Sequence, residues 1–374
     1  MNRTAVLCTT IASAALLGSA ALLTAGPLNP PSGAVTSTYR TLTEVEPRIP
    51  ISLATTPGDA DSLFKIIQPG SYYLTGNITG VAGKHGIEIA ADNVSLDLRG
   101  HTLTGVAGSL SGVVTSTVGL KNIAIENGTA LSWGTSGFDL ATFSIATGRL
   151  SGLHASDNGN YGVRGGNQCL IADCVAANNG GTGIGVVIGG NITNCVSASN
   201  TIGYGGSIYS SIQNCVAYAN DQVGIQGGSA SVVINCSSTF SGTEGIAVGT
   251  GSTVEGNDVL GSGTNGIRVT FGSTIRGNTV RQSGNNGVGA GIIVTGSQNR
   301  IDSNNCSLAD RGIEITASGN FLTRNICGNN TTNYVISIGN VFLAVNAATN
   351  PAAVSGSSGG VAPGSTDPNA NFSY

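Results

Sequence analysis

One column of this chain recurs about every 21 residues: Cys174, Cys195, Cys215 and Cys236, then Asn257, Asn278, Asn304 and Asn325. Three residues before each stands an aliphatic: Ile171, Ile192, Ile212, Val233, Val254, Ile275, Ile301 and Leu322. A second mark, Gly followed by a residue that is usually aliphatic, falls at Gly162-Val163, Gly183-Ile184, Gly203-Tyr204, Gly224-Ile225, Gly245-Ile246, Gly266-Ile267, Gly291-Ile292 and Gly312-Ile313. Its intervals are 21, 20, 21, 21, 21, 25 and 21 residues. Such a period belongs to stacked units, each burying its apolar face against the next. Two short β-type runs per step, such as Gly266-Ile-Arg-Val269 and Ser273-Thr-Ile-Arg276, lie between Gly, Ser and Asn turns. Each step must therefore climb and pair in parallel with the one before, which predicts an all-β fold, a single-stranded parallel β-helix of about 21 residues per coil.

Other repeats fit less well. Leucine-rich repeats need their own Leu and Asn spacing, propeller blades need about 40 residues, and helical repeats tolerate few glycines. The 58 glycines exclude helices, since each costs about 1 kcal/mol relative to Ala in a helix interior. The interval of 25 localises an insertion at 283–291, on the surface of the array. Upstream coils are less regular but strand-like: in Asn93-Val-Ser-Leu-Asp-Leu-Arg99, Val94, Leu96 and Leu98 alternate with Ser95, Asp97 and Arg99.

The ends read differently. Arg3 precedes a small and apolar run from Ala5 to Leu23, the pattern of a secretory signal peptide over 1–25, with Gly18-Ser19-Ala20 or Leu23-Thr24-Ala25 as cleavage sites. An uncleaved anchor is the alternative, because 19 apolar residues just span a bilayer. Residues 26–50 hold Pro27, Pro30, Pro31, Pro47 and Pro50 and read as a Pro-rich spacer, 51–345 as the β-helix, and 346–374 as a flexible tail. The expected location is secreted, extracellular or at the cell surface.

Several residues quoted so far belong to a pattern. Ile67-Gln-Pro-Gly-Ser-Tyr-Tyr-Leu-Thr-Gly-Asn77, Val94-Ser-Leu-Asp-Leu-Arg-Gly-His-Thr-Leu103 and Ile123-Ala-Ile-Glu-Asn-Gly-Thr129, followed by the Gly-Ile and Asn-Cys-Val coils, resemble secreted right-handed parallel β-helix repeat proteins of the pectate-lyase-like superfamily over about 51–345. The resemblance implies a right-handed β-helix but no single activity, since that superfamily includes lyases, hydrolases, epimerases and adhesins. The Asn-Thr-Asp, Asp-Asp, Gly-His-Gly and Arg-x-Lys elements of the polygalacturonase-type hydrolases are absent, and Gly100-His101-Thr102 lacks the second glycine. Tyr161-Gly162-Val163-Arg164 departs after two residues from the Tyr-Gly-x-Asp-Pro-His element of the epimerases.

Candidate sites come from stacking. One residue after the aliphatic column, Glu255, Arg276 and Asp302 fall on successive coils, about 4.8 Å apart, so the Arg is expected between two carboxylates. That arrangement suits acid, base or charge-stabilising roles, and equally a solvated charge ladder. Two residues after each Gly, an outward column reads Arg164, Gly185, Gly205, Gln226, Ala247, Arg268, Ile293 and Glu314, a shallow face with Arg268 available to a ligand. Trp133 and Phe138 are candidates for stacking on a sugar ring, or else they cover the core. Asp97, Arg99, His101 and Glu126 form either an acid–base group or a capping network. The cysteines, seven after loss of Cys8, are expected as buried reduced thiols.

The exclusions are clear. With formal charge −4 and 15 Lys plus Arg scattered along the chain, no basic stripe for nucleic acid exists. No spaced ligand set predicts a metal, and no motif predicts a cofactor. Two readings stay open: a scaffold contacting carbohydrate or another extracellular polymer, or a divergent polysaccharide lyase or glycoside hydrolase. Convergent titratable groups in a groove would distinguish them.

Overall fold

Every coil turns at a residue held at positive φ just before the Cys or Asn column: Asp173, Asn194, Asn214, Asn235, Gly256, Gly277, Ser303 and Arg324. Asn and Gly tolerate this left-handed conformation, which lets a strand bend sharply without losing its register. The computed structural model describes residues 46–141, 147–284, 287–343, 345–347, 354–356 and 369–373. The chain divides into Met1–Pro47 and Arg48–Tyr374, and the fold lies in the second part. The signal-peptide segment 1–25 and spacer residues 26–45 fall outside the described residues.

The sequence marks two β-runs per coil; the structure has three. The additional strand follows the left-handed corner, as Asp258–Leu260 follows Thr253–Glu255, before Ile267–Val269 completes the coil. Each strand pairs in parallel with its equivalent one coil later: Val254 faces Ile275, Val259 faces Val280, and Ile267 faces Ile292. The result is a right-handed parallel β-solenoid of about 14 turns and about 21 residues per turn. Its described strands form one sheet of 26 and another of 14.

The core is built from the columns legible in the sequence. Ile171, Ile192, Ile212, Val233, Val254, Ile275, Ile301 and Leu322 stack inward with 0% exposure, each burial worth about 1.5–3 kcal/mol. The seven described cysteines are free and buried. Where Cys gives way to Asn, side-chain amides run from coil to coil. Asn257, Asn278 and Asn304 donate through Nδ2 to the Oδ1 of Asn278, Asn304 and Asn325 at 2.9, 2.9 and 3.0 Å. This ladder satisfies buried amides that would otherwise cost 1–3 kcal/mol each.

Both ends of the array extend beyond the expected boundaries. Ile49–Pro50, placed in the spacer by composition, pairs with Gly70–Tyr73, and Arg48 binds Asp97 at 2.8 Å. Most of 346–374 is outside the described residues, but Asn371–Ser373 pairs with Ile326–Gly328. Asn371 Oδ1 accepts from Asn325 Nδ2 at 3.0 Å, so this segment of the presumed tail supplies the last rung of the Asn ladder.

Candidate functional site

Glu255, Arg276 and Asp302 sit in register on adjacent coils, as their spacing requires, but do not act together. Arg276 reaches Glu255 at 2.5 Å, with both side chains substantially exposed. Asp302 turns the other way. Its side chain is 1% exposed and is held by Arg324 at 2.8 and 2.6 Å, Arg300 at 3.0 Å and Ser303 at 2.9 Å. Burial alone would raise its pKa, but Arg324, Ser303 and Arg300 lower it to about 2. With every acceptor position engaged, Asp302 is a structural anion, and the predicted shared Arg does not form.

Trp133 and Phe138 are also not surface platforms. Both are buried, and Trp133 Nε1 donates to the Leu103 carbonyl at 3.0 Å. No sugar reaches either ring; they fill the interior of the early coils. Arg268 pairs with Glu244 across one coil. Asp97 accepts from Arg48, from Asn127 Nδ2 at 3.3 Å and from the Arg99 backbone N–H at 2.9 Å, which fits the capping reading of that group.

The outward column that the sequence opens at Arg164 begins four coils earlier. In continuous register it runs Lys65, Glu88, Val114, Asp139, Arg164, Gly185, Gly205, Gln226, Ala247 and Arg268 along the 14-stranded sheet. The early members escape a 21-residue search because their Gly marks, Gly86-Ile87, Gly112-Val113 and Gly137-Phe138, are spaced 26 and 25 residues apart, with 25 more to Gly162. Two residues after each mark stand Glu88, Val114 and Asp139. From Lys65 to Gln226 the column covers seven coil steps, about 34 Å.

Two concavities lie on it. The first, of about 710 Å³, is lined by Asp61, Lys65, His85, Glu88 and Asp139, together with Ser111, Thr135, Ser136 and Asn160. The second, of about 430 Å³, is lined by Tyr161, Arg164, Thr182, Gly185, Gly205 and Gln226 among others. Glycine at 185 is not demanded by folding, and at 205 only the Thr182 side chain stands in the way of a Cβ. A Cβ on Gly185 would meet nothing closer than 3.4 Å and one on Gly205 nothing closer than 3.1 Å, whereas at Gly183 and Gly203 it would strike atoms at 2.2 and 2.4 Å.

The charges of the first concavity are largely matched internally. Lys65 Nζ lies 2.7 Å from Asp59 and 2.6 Å from Glu88, which push its pKa up to about 12. Burial pushes the Glu88 carboxyl up, but Lys65, Ser116 and Ser62 outweigh it and hold the group below the usual range. Ser62 Oγ donates to Glu88 at 2.5 Å, while Ser116 Oγ lies nearby without standard hydrogen-bond geometry. Asp139 accepts from the Ala141 N–H at 2.9 Å and faces Arg164 at 3.5 Å. That guanidinium also stacks on Tyr161, 4.6 Å from the ring centre. His85 Nδ1 accepts the Ser111 N–H at 3.1 Å. Burial lowers its pKa against the opposing pull of Glu88, Asp61, Asp139 and Asp59. Among the described residues no cluster of His, Cys, Asp and Glu is placed to hold a metal ion, and no helix is long and apolar enough to cross a membrane.

Residues 163–283 match the family model described as the right handed beta helix region. By fold, this chain is a right-handed parallel β-helix. No curated protein matches it by sequence. Among solved structures, it is similar to the A-module of the mannuronan C-5 epimerase AlgE6 of Azotobacter vinelandii, with 17% identity and a TM-score of 0.59, over 82% of this chain and 91% of that one. The A-module of the epimerase AlgE4 from the same organism aligns at 17% identity and a TM-score of 0.52, over 71% and 88%. These β-helix neighbours act on carbohydrate.

Proposed function

We propose that this β-helix binds an extracellular polysaccharide along the outward column from Lys65 to Gln226, without cleaving it. The observation that carries this reading is the continuity of the column: two concavities lie along about 34 Å of it on one parallel sheet. A linear polymer fits such a track, and the carbohydrate-acting fold neighbours support it. The signal-like N-terminal pattern supports a location outside the cytoplasm, which fits this reading.

The glycine floor supports the same reading. Glycine in a strand interior contributes nothing to packing and weakens the strand, so a glycine at 185, where a Cβ would fit, and one at 205, where only the Thr182 side chain would have to yield, call for another explanation. A flat surface against which a sugar ring lies supplies one.

A second reading, polysaccharide cleavage, draws on Glu88 and Asp139, which stand two coils apart on the same column, about 10 Å between backbones. That approaches the carboxylate separation of inverting glycosidases, but such an enzyme needs one carboxyl protonated at working pH. Glu88 is held as the anion by Lys65 and Ser62, and Asp139 is engaged by Arg164 and the Ala141 N–H. Binding is the better-supported reading.

The test is a pair of variants, Gly185→Val and Gly205→Val, on an array of polysaccharides and in lyase and reducing-sugar assays. Both variants should fold, Gly185→Val with stability unchanged or raised by up to about 1 kcal/mol from better strand propensity and Gly205→Val with the Thr182 side chain moved aside, and both should lose polymer binding at least tenfold. Retained binding by the folded variants would sink the assignment, and release of product by the wild type would favour the enzyme.

A further inference from the structure

Within the first concavity, hydrogen-bonding capacity and charge point in different directions. Its lining carries three carboxylates, Asp61, Glu88 and Asp139, against one ammonium, Lys65. Lys65 is already committed to Asp59 and Glu88. An anionic sugar entering here meets a formally negative wall and no unengaged cation in the lining; Arg164, the nearest guanidinium, faces Asp139 and belongs to the second concavity.

What the concavity does offer is neutral. His85 Nδ1 accepts the backbone N–H of Ser111, so in the neutral imidazole the proton sits on Nε2. Nε2 makes no hydrogen bond among the described residues, although the ring lines the cavity. Beside it Ser111 Oγ and Thr135 Oγ1 lie 2.7 Å apart, one donating to the other, which leaves the donor of this pair with a free lone pair and the acceptor with a free proton. Ser136 and Asn160 also line it. A neutral N–H donor beside hydroxyls and an amide, walled by fixed anions, is suited to the hydroxyl groups of an uncharged sugar.

We propose that the first concavity binds a neutral, hydroxyl-bearing sugar unit, with His85 Nε2–H as the donor that selects it, and rejects a sugar bearing a carboxylate. This rests on the polysaccharide-binding reading above and narrows it. Because recognition runs through neutral hydrogen bonds, affinity should change little with salt; capture of a polyanion by cations would weaken steeply.

The experiment uses the full chain and matched probes: oligomers of β-1,4-mannan and of mannuronan of equal length, which differ at C6 by a hydroxymethyl against a carboxylate, alongside an array of neutral and uronate glycans. Wild-type protein should retain neutral glycans, favour them over matched uronates by about tenfold or more, and keep that affinity when salt is raised. His85→Phe should lose about tenfold. His85→Gln, whose amide offers both an acceptor for Ser111 and a donor for the ligand, should keep most of the affinity; thermal unfolding confirms that both variants fold. Preference for uronates, strong salt dependence, or equal binding by a folded His85→Phe would overturn the inference while leaving the groove reading intact. Absence of binding to every glycan would overturn both.

Discussion

Two outward columns of this solenoid hold the same kinds of residue at the same coil spacing, yet one is a recess and the other a sealed surface. Along the 14-stranded sheet, Lys65, Glu88, Asp139 and Arg164 border open volume, with Val114, Gly185 and Gly205 keeping the floor low. On the 26-stranded sheet, Glu255 and Arg276 close on each other and Asp302 is enclosed by Arg300, Arg324 and Ser303. Charge and register alone therefore do not make a site. What decides is whether the small residues in and beside the column leave room, and whether long side chains from neighbouring coils fold over the charge.

The sealed column can be broken in a way that affects stability and not binding. Asp302→Asn should destabilise the protein by about 1–3 kcal/mol, because it removes the acceptor of several charge-assisted bonds. The pH dependence has a definite sign. The folded pKa of about 2 lies below the usual 3.8, so the contribution of Asp302 is fully present above about pH 4 and is lost as pH falls toward 2. The gap between wild type and Asp302→Asn in chemical denaturation should accordingly narrow over that window. A smaller effect is expected one coil earlier. Arg276→Ala removes a half-exposed pair and should cost less than about 1 kcal/mol, an effect that fades in high salt. If it instead abolished polysaccharide binding, the functional face would lie on the other sheet.

Much of the architecture was legible because it rests on local rules repeated many times. The aliphatic column, the Cys-to-Asn change and the Gly mark together locate the core, the amide ladder and the outward face of the later coils. The third strand per coil was not legible, because it is only three residues long and follows a left-handed corner at residues such as Asn235 and Gly256 that local sequence does not mark as a turn between two strands. The recess was missed for a simpler reason: its coils are longer, so Glu88 and Asp139 fall out of step with Arg164 although the same Gly mark announces them. Trp133 and Phe138 were ambiguous because an aromatic residue fills a coil's interior or faces solvent with no difference in local sequence. Asn371 lies within a stretch whose composition reads as a tail, and only its pairing with Asn325 reveals its place in the ladder.

The claim that the 14-stranded sheet carries the binding face is tested most directly by hydroxyl-radical footprinting, with and without a polysaccharide retained by the wild-type protein. His85 and Tyr161, which line the two concavities, should become protected, while the exposed Tyr218 and Phe240 beside the 26-stranded sheet should react as before. Protection of Tyr218 and Phe240 with His85 and Tyr161 unchanged would contradict the account.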